Sequence, residues 1–142
     1  MTLTREQTIQ LLSQTRLFAG VDPEGLGRIA DRITEVDLAA ERVIARQGEI
    51  GTGFFIIASG RVRVVRDGEA IADLGPGEFF GELSVIDGLP RLAQVVSKAP
   101  TSCLALATWD FEAVVREQPS VALAVLRELA GRLRGVTEAQ HH

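Results

Sequence analysis

One acidic and one basic side chain lie nine positions apart in the segment FGELSVIDGLPR, residues 80–91. Gly81 lets the backbone approach a ligand closely, and the residues after it can form one helical turn whose free N–H groups bind anions. Arg91 supplies a permanent positive charge whose forked donors match two oxygens of a phosphate. Glu82 repels a phosphate, so we expect it to accept a hydrogen bond from a donor such as a ribose hydroxyl. The segment therefore favours a small nucleotide site.

The same residues also fit an ordinary turn. An acid in the first turn of a helix is stabilised by the helix dipole, which accounts for Glu82 without a ligand. An arginine that opens a strand, as Arg91 does, is usually a solvated edge residue. The sequence contains no GxGxxG or P-loop motif that would indicate a dinucleotide or a triphosphate. Spacing alone therefore leaves both explanations open.

The composition excludes several classes of protein. The 142 residues carry 15 Lys and Arg against 19 Asp and Glu, a formal net charge of −4 that disfavours nucleic-acid binding. A hydrophobic content of 46% is typical of a folded domain. The sequence has no membrane-spanning run of roughly 18–20 apolar residues and no signal-peptide pattern at its N-terminus. With its single cysteine, it is predicted to be a cytoplasmic domain.

Catalytic and metal sites find little support in the residue types. The two histidines, His141 and His142, match the start of a purification tag, so neither a metal-binding cupin nor a Ser-His-Asp hydrolase is expected. Cys103 lies in TSCLALA without a neighbouring base, which favours a packing residue over a nucleophile. We therefore expect no enzymatic activity, no metal and no cofactor.

Helical patterns flank a central region of short strands. Thr4 can cap a first helix, and Pro23 suits the start of a second. The next part of the chain has roughly eight short segments separated by glycines, with a hairpin turn at Asp67-Gly68, which indicates a sandwich or barrel. From Trp109 the helical pattern returns, and Pro119 starts the longest helix. We expect one domain over residues 1–142, with helices at about 4–33, strands at about 34–108 and C-terminal helices at about 109–140.

Two segments resemble the cyclic nucleotide-binding domain family. GEFFGELSVIDGLPRLAQV, residues 77–95, is similar to the family's phosphate-binding cassette, F-G-E-L-(small/apolar)-L-…-P-R-(small)-A-x-V. RQGEIGTGFFIIASGRVRVV, residues 46–65, is similar to the family's R-x-G-[DE]-x-[GA]-x-x-[FL]-[FY]-I-[IV]-x-x-G-x-V stretch. The flanking helices also resemble the family's, so the resemblance covers about residues 15–137. The second segment matches at Arg46, Gly48, Glu49, Phe55, Ile56, Ile57, Gly60 and Val62.

The resemblance implies a fold and a set of ligand contacts. The fold is α+β, an eight-stranded antiparallel β-jelly-roll (double-stranded β-helix) flanked by N-terminal helices and C-terminal B and C helices. Glu82 would accept a hydrogen bond from the ribose 2′-hydroxyl, Arg91 would pair with the cyclic phosphate, and the Leu92 backbone N–H would donate to it. The other implied site residues are Gly81, Leu83 and Ala93 in the cassette, Val64, Ile71 and Leu74 on the purine side, Arg132 near Glu82, and Val136 and Thr137 at the adenine edge. For the three purine-side residues, a plain core role is an equal alternative.

Leu92 departs from the family pattern, which has a small residue at this position, often Ala, Ser or Thr. Leucine removes any side-chain hydroxyl from the phosphate edge and adds bulk there. A Thr at this position can also hold the guanine amino group of cGMP, so we expect cAMP as the ligand, with cGMP as the second candidate. The alternative is a domain that has kept the fold, lost the ligand and become an interaction or dimerisation module.

The family uses this domain as a module attached to kinases, channels and transcription factors. We therefore expect a regulatory sensor whose helix from Pro119 to about Gln140 is repositioned by the ligand, acting on an effector that the sequence does not identify. The apolar face of that helix is wide enough to predict a homodimer. The catabolite-activator branch continues into a winged helix-turn-helix, whereas this sequence stops at His142. The expectation is a stand-alone sensor or a piece of a longer protein, without nucleic-acid binding or a membrane segment in this chain.

Overall fold

The computed structural model describes residues 2–139. This part of the chain contains five α-helices and eight β-strands. The predicted helix end near Gln140 and the pair His141-His142 lie outside that part. The strands are β1 (Thr34–Leu38), β2 (Val43–Ala45), β3 (Gly53–Ser59), β4 (Val62–Arg66), β5 (Glu69–Leu74), β6 (Phe79–Phe80), β7 (Gln94–Ser97) and β8 (Thr101–Ala107). The helices are α1 (Arg5–Gln14), α2 (Pro23–Ala30), α3 (Glu82–Asp87), α4 (Thr108–Glu117) and α5 (Pro119–Ala139), with a 3-10 turn at Arg16–Phe18.

The strands form two four-stranded antiparallel sheets, in the orders β1-β8-β3-β6 and β2-β7-β4-β5. Most neighbouring strands are distant in sequence because the chain passes repeatedly from one sheet to the other, as in a jelly roll. Ile57, Val62 and Cys103 are fully buried in one apolar cluster of this roll. The predicted fold, an α+β eight-stranded jelly roll with N-terminal and C-terminal helices, is confirmed.

The hairpin between β4 and β5 turns at Asp67-Gly68, as predicted. Both residues have positive φ, 52° and 81°, which a two-residue type I′ turn requires and which Asp-Gly tolerates well. Arg66 and Glu69 then face each other as the first pair of the antiparallel register. The turn places Leu74, at the end of β5, opposite Val62 of β4.

The first N-terminal helix begins at the cap that the sequence predicts, Thr4, and the second begins at the predicted Pro23. Thr4 accepts a hydrogen bond from the Gln7 backbone N–H at 3.1 Å, while the Gln7 side chain accepts one from the Thr4 backbone N–H at 2.9 Å. These two bonds form a capping box. Asp22 caps α2 in the same way through Gly25, and Pro23 occupies the first turn, where its missing N–H costs nothing.

The helices pack against the sheet that contains β3, and Phe54 lies at the centre of that contact. Its ring meets Phe111 of α4 edge to face, with 5.7 Å between centroids, and Phe18 at 6.1 Å. Phe54 is 1% exposed. Aromatic contacts of this kind add to the burial of the rings and hold α4, and through it α5, against the β-roll.

Two expectations about chemistry and membranes can be checked in the fold. Cys103 is completely buried, and burial raises the pKa of its thiol to about 11. The thiol therefore stays neutral at physiological pH, and its predicted role as a packing residue is confirmed.

Within residues 2–139, none of the helices has the length and apolar character that crossing a membrane requires.

Candidate functional site

The segment between Glu82 and Arg91 folds as a short helix followed by a tight turn. Gly81 precedes α3 with a φ of 87°, a left-handed conformation that favours glycine. Gly88 ends the helix with a φ of 71°. The Ser84 hydroxyl then donates to the carbonyl oxygen of Leu89 at 2.8 Å and closes the turn. This geometry brings the acid and the base to the same cavity.

Arg91 is held by backbone contacts outside the cassette. Its backbone N–H donates to the Glu49 carbonyl oxygen, and its own carbonyl accepts from the Gly48 N–H, both at 2.8 Å. Its guanidinium is half-buried and donates through Nη2 to the carbonyl oxygen of Gly53 at 2.8 Å. Burial lowers the pKa of Arg91, and the carboxylates of Glu49 and Glu82 oppose that shift. Because a guanidinium stays protonated in proteins, Arg91 keeps its positive charge.

Glu82 is the charged residue buried deepest at this site. It is 7% exposed, and its Oε1 accepts a hydrogen bond from Nη1 of Arg132 at 3.0 Å. The Arg132 guanidinium also lies 4.5 Å from the centre of the Phe79 ring and donates through Nε to Glu128 at 3.2 Å. Because Arg132 belongs to α5, the cassette and the C-terminal helix meet at this carboxylate. The sequence prediction that Arg132 lies near Glu82 agrees with this contact.

One cavity, here called the cassette cavity, lies between α3, the turn before Arg91 and the second sheet. Its volume is about 630 Å³, which is within the range of small-molecule sites. All six cassette residues of the predicted site line it: Gly81, Glu82, Leu83, Arg91, Leu92 and Ala93. The predicted purine-side residues Val64, Ile71 and Leu74 line it as well, and so does Arg132.

Val136 and Thr137 are not among the described residues that line the cassette cavity. Val136 is 56% exposed, and the Thr137 hydroxyl donates to the carbonyl oxygen of Leu133, one turn back on the same helix, at 2.9 Å. The structure thus separates these two residues from the other predicted members of the site. Their role at an adenine edge stays a prediction.

Several lining residues were missed by the sequence reasoning. Phe79 and Phe80 lie inside the cassette segment, residues 77–95, and could have been included for that reason. Ala45 and Val95 come from β2 and β7, and no short-range pattern connects them to the cassette. The missed residues are Ala45, Phe79, Phe80, Ser84, Asp87, Leu89, Pro90 and Val95.

A second cavity of about 470 Å³ lies on the other side of Arg91. Arg91 lines both cavities, and so does Ala45. The second cavity is bounded by the loop between β2 and β3 and by Trp109 at the start of α4. Arg91 is therefore part of the wall of both cavities. Within residues 2–139 no group of His, Cys, Asp and Glu side chains is arranged to hold a metal ion.

Comparison with known proteins gives consistent matches. The family model described as "Cyclic nucleotide-binding domain" matches residues 35–118, more than half of the chain. A curated relative, the cyclic AMP receptor protein of Thermus thermophilus, is 37% identical over 133 residues, covering 83% of this chain and 57% of the relative. The crystal structure of the Thermus thermophilus catabolite activator protein is similar with a TM-score of 0.81 at 34% identity, covering 89% of this chain and 62% of that one.

Another similar structure is that of a kinase regulatory subunit described as independent of cAMP. The regulatory subunit of a cAMP-independent protein kinase A from Trypanosoma brucei matches with a TM-score of 0.76 at 28% identity, covering 87% of this chain and 44% of that one. This chain spans a little over half the length of the first curated relatives, 57% and 58%. The family match and the shared jelly roll lead to one conclusion. The chain belongs to the cyclic nucleotide-binding domain family.

Proposed function

We propose that this chain is a regulatory sensor that binds a cyclic nucleotide in the cassette cavity, with cAMP preferred over cGMP. One observation carries the proposal: a half-buried arginine and a buried glutamate line the same cavity beside an apolar wall. A cyclic nucleotide carries a phosphate, a ribose hydroxyl and a purine, which match these three features in turn. The sensor would have no catalytic activity of its own.

The phosphate is proposed to bind at Arg91. Within residues 2–139, the Arg91 side chain makes one hydrogen bond, from Nη2 to Gly53, so it keeps further donors for phosphate oxygens. Its Nη1 lies against Gly81, on the cassette side of the guanidinium. The Leu92 backbone N–H is proposed as an additional donor. A charged, forked hydrogen bond in a partly dry cavity contributes about 1.5–3 kcal/mol.

The ribose is proposed to bind at Glu82. Its Oε1 is bonded to Arg132, and among the described residues no donor is bonded to Oε2. The second oxygen can therefore accept from a 2′-hydroxyl while the first keeps its ion pair. Gly81 and Leu83 would lie along the same edge, and Ala93 would lie beside the phosphate. The apolar side chains of Val64, Ile71 and Leu74 would face the purine.

The signal is proposed to leave the site through α5. A ribose bound at Glu82 changes the surroundings of Arg132, and Arg132 is part of α5, so ligand binding and the position of this helix are coupled. Val136 and Thr137, further along α5, would approach the adenine edge when the helix moves. We infer a cytoplasmic module that pairs with a second copy through α5 and acts on an effector protein or domain.

The second candidate is a cyclic nucleotide fold that has lost its ligand and acts as an interaction or dimerisation module. Two observations favour it. Arg132 already bonds Glu82, the carboxylate that a ribose would need. Leu92 is 59% exposed where the family has a small residue, so it adds bulk at the cavity mouth. The match to a regulatory subunit described as cAMP-independent is consistent with this candidate.

Isothermal titration calorimetry with cAMP and cGMP separates the two candidates. The sensor should bind cAMP at micromolar or lower concentration, and Arg91→Leu should weaken binding at least about tenfold, since 1.4 kcal/mol corresponds to a factor of ten. Arg116→Leu is the matched control, because Arg116 is an exposed arginine of α4 that lines neither cavity. A folded parent protein that binds neither nucleotide would support the second candidate.

A further inference from the structure

We propose that the second cavity binds a small aromatic carboxylate, a ligand class distinct from the cyclic nucleotide proposed for the cassette cavity. The carboxylate would pair with Arg46, and the aromatic ring would lie against Trp109. Both residues line the second cavity and neither lines the cassette cavity. The volume of the second cavity, about 470 Å³, is within the range of small-molecule sites.

Trp109 gives the second cavity an exposed aromatic surface. It is the only tryptophan of the sequence and is 65% exposed, whereas a tryptophan is usually largely buried. Ile50, also 65% exposed, and Val43, 36% exposed, line the same cavity. An indole and two aliphatic side chains therefore form an apolar surface that a flat ring can cover.

The charges of the second cavity leave one positive charge without a partner. Three arginines line it, Arg32, Arg46 and Arg91, together with two acids, Glu49 and Asp110. Arg32 donates to Asp110 at 3.1 Å. The Glu49 carboxylate opposes the fall in the pKa of Arg91, so these two charges attract each other. Within residues 2–139, the exposed Arg46 side chain has no hydrogen-bond or ion-pair partner.

This charge balance favours an aromatic carboxylate over a phosphate or a small anion. One uncompensated guanidinium matches a single negative charge, and its planar fork can pair with both oxygens of a carboxylate. A dianion such as a phosphate monoester would bring a second negative charge close to Glu49 and Asp110, which repel it. A small anion such as acetate would leave the Trp109 surface in water, so an attached ring increases the affinity.

The experiment titrates the full isotope-labelled chain with indole-3-acetate, an aromatic carboxylate, and with its neutral amide, indole-3-acetamide. Because Trp109 is the only tryptophan, its indole N–H gives a single NMR resonance. We expect indole-3-acetate to shift this resonance with a Kd of about 1 mM or tighter. The amide lacks the charge and should bind at least roughly fivefold more weakly. A Trp109 resonance that does not shift, or equal binding of the two probes, would overturn the proposal.

Two variants and two matched controls test the residues of the site, with binding measured from the NMR signals of the probe. Arg46→Gln removes the charge and Trp109→Ala removes the ring surface, so each should weaken binding of indole-3-acetate at least roughly fivefold. Arg116→Gln and Leu126→Ala should leave it within about twofold of the parent, because both residues are exposed and line neither cavity. Unchanged binding in Arg46→Gln, or equal losses in the controls, would overturn the proposal.

A third control separates the two cavities. Leu92 lines the cassette cavity and not the second cavity, so Leu92→Ser should leave binding of indole-3-acetate within about twofold of the parent. A loss in Leu92→Ser that Arg46→Gln does not show would place the probe in the cassette cavity and overturn the proposal.

The outcome does not depend on the proposed function, because the probes are titrated without cAMP. A parent that binds indole-3-acetate but not cAMP would contradict only the proposed function, and the reverse result would overturn only the second site. Arg46 and Trp109 are both exposed, so their variants should fold as the parent does. If Trp109→Ala does not fold, the shift of the Trp109 resonance in the parent decides whether the ring lies there.

Discussion

Arg132 of α5 and Glu82 of α3 form an ion pair beside the cassette cavity, with 3.0 Å between Nη1 and Oε1 and 50 positions between them in the sequence. A carboxylate as buried as Glu82 requires a partner, because an unpaired charge in a dry site is strongly destabilising. In this structure that partner comes from the C-terminal helix. The ion pair therefore connects the proposed ribose site directly to the element that is proposed to respond to the ligand.

The first prediction concerns this connection. Saturating cAMP should change amide hydrogen exchange along residues 121–137 of α5, because the ribose and Arg132 share Glu82. Arg132→Gln should reduce the ligand-induced change, since the shared contact is lost. Arg127→Gln is the control, because Arg127 is an exposed arginine of the same helix that lies outside the cavity lining. Exchange that is identical with and without cAMP would argue against α5 as the responding element.

The second prediction concerns the ribose hydroxyl. Glu82→Ala should weaken cAMP binding much more than binding of 2′-deoxy-cAMP, because the deoxy analogue lacks the donor that Glu82 would accept. A hydrogen bond to a charged group contributes about 1.5–3 kcal/mol, so the two affinities should differ by roughly tenfold or more in the parent. Glu112→Ala, at an exposed glutamate of α4, should leave both affinities unchanged. Equal losses for the two ligands in Glu82→Ala would remove this carboxylate from the ribose site.

The third prediction concerns Leu92. Leu92→Ser restores a hydroxyl at the phosphate edge and should tighten cAMP binding about threefold to a hundredfold, since one hydrogen bond is worth about 0.5–3 kcal/mol. Because Leu92 is 59% exposed, its replacement should leave the melting temperature nearly unchanged. Leu89→Ser is the control, because Leu89 is similarly exposed, at 60%, and lines the same cavity. A Leu92→Ser variant that melts like the parent and binds cAMP no better would place this side chain away from the phosphate.

The fourth prediction concerns self-association. Leu123, Leu126, Leu133 and Val136 form an apolar stripe along α5 and are 47%, 61%, 68% and 56% exposed. Such a stripe usually has a partner, and we expect a homodimer that sedimentation velocity detects at tens of micromolar. Leu126→Glu with Leu133→Glu should give a monomer, because each charge would be buried in the seam. Trp109→Glu, at an exposed apolar residue of α4, should leave the dimer intact, and a parent monomer at high concentration would rule out the seam.

Local features of the sequence determined the elements and the cassette. Thr4, Pro23 and Asp67-Gly68 act on their own backbone and near neighbours, so the helix starts and the β4–β5 turn could be predicted without tertiary information. The short distance in sequence between Glu82 and Arg91 has a similar consequence. A short helix and one tight turn return the chain to the cavity that both charges line.

The tertiary structure decided which residues, distant in sequence, lie with Glu82 and Arg91 at the cavity. Ala45 reaches the cavity through the pairing of β2 with β7, and the Gly53 carbonyl meets Arg91 because the loop before β3 packs against the end of the cassette. Such contacts depend on strand register and loop position over the whole roll. No local periodicity encodes them, and the hydrogen bond from Arg91 to the Gly53 carbonyl oxygen could not be predicted for that reason.

The C-terminal helix shows most clearly which features the sequence determined and which the tertiary structure decided. Its apolar and charged positions follow from its helical period, and the family resemblance places Arg132 near Glu82. How far along α5 the contact between this helix and the cassette cavity extends depends on how α5 packs against the β-roll. A helix rises about 1.5 Å per residue, so Val136 lies about 6 Å beyond Arg132 along the axis. With Arg132 over Phe79 and bonded to Glu82, that rise carries Val136 and Thr137 past the cavity.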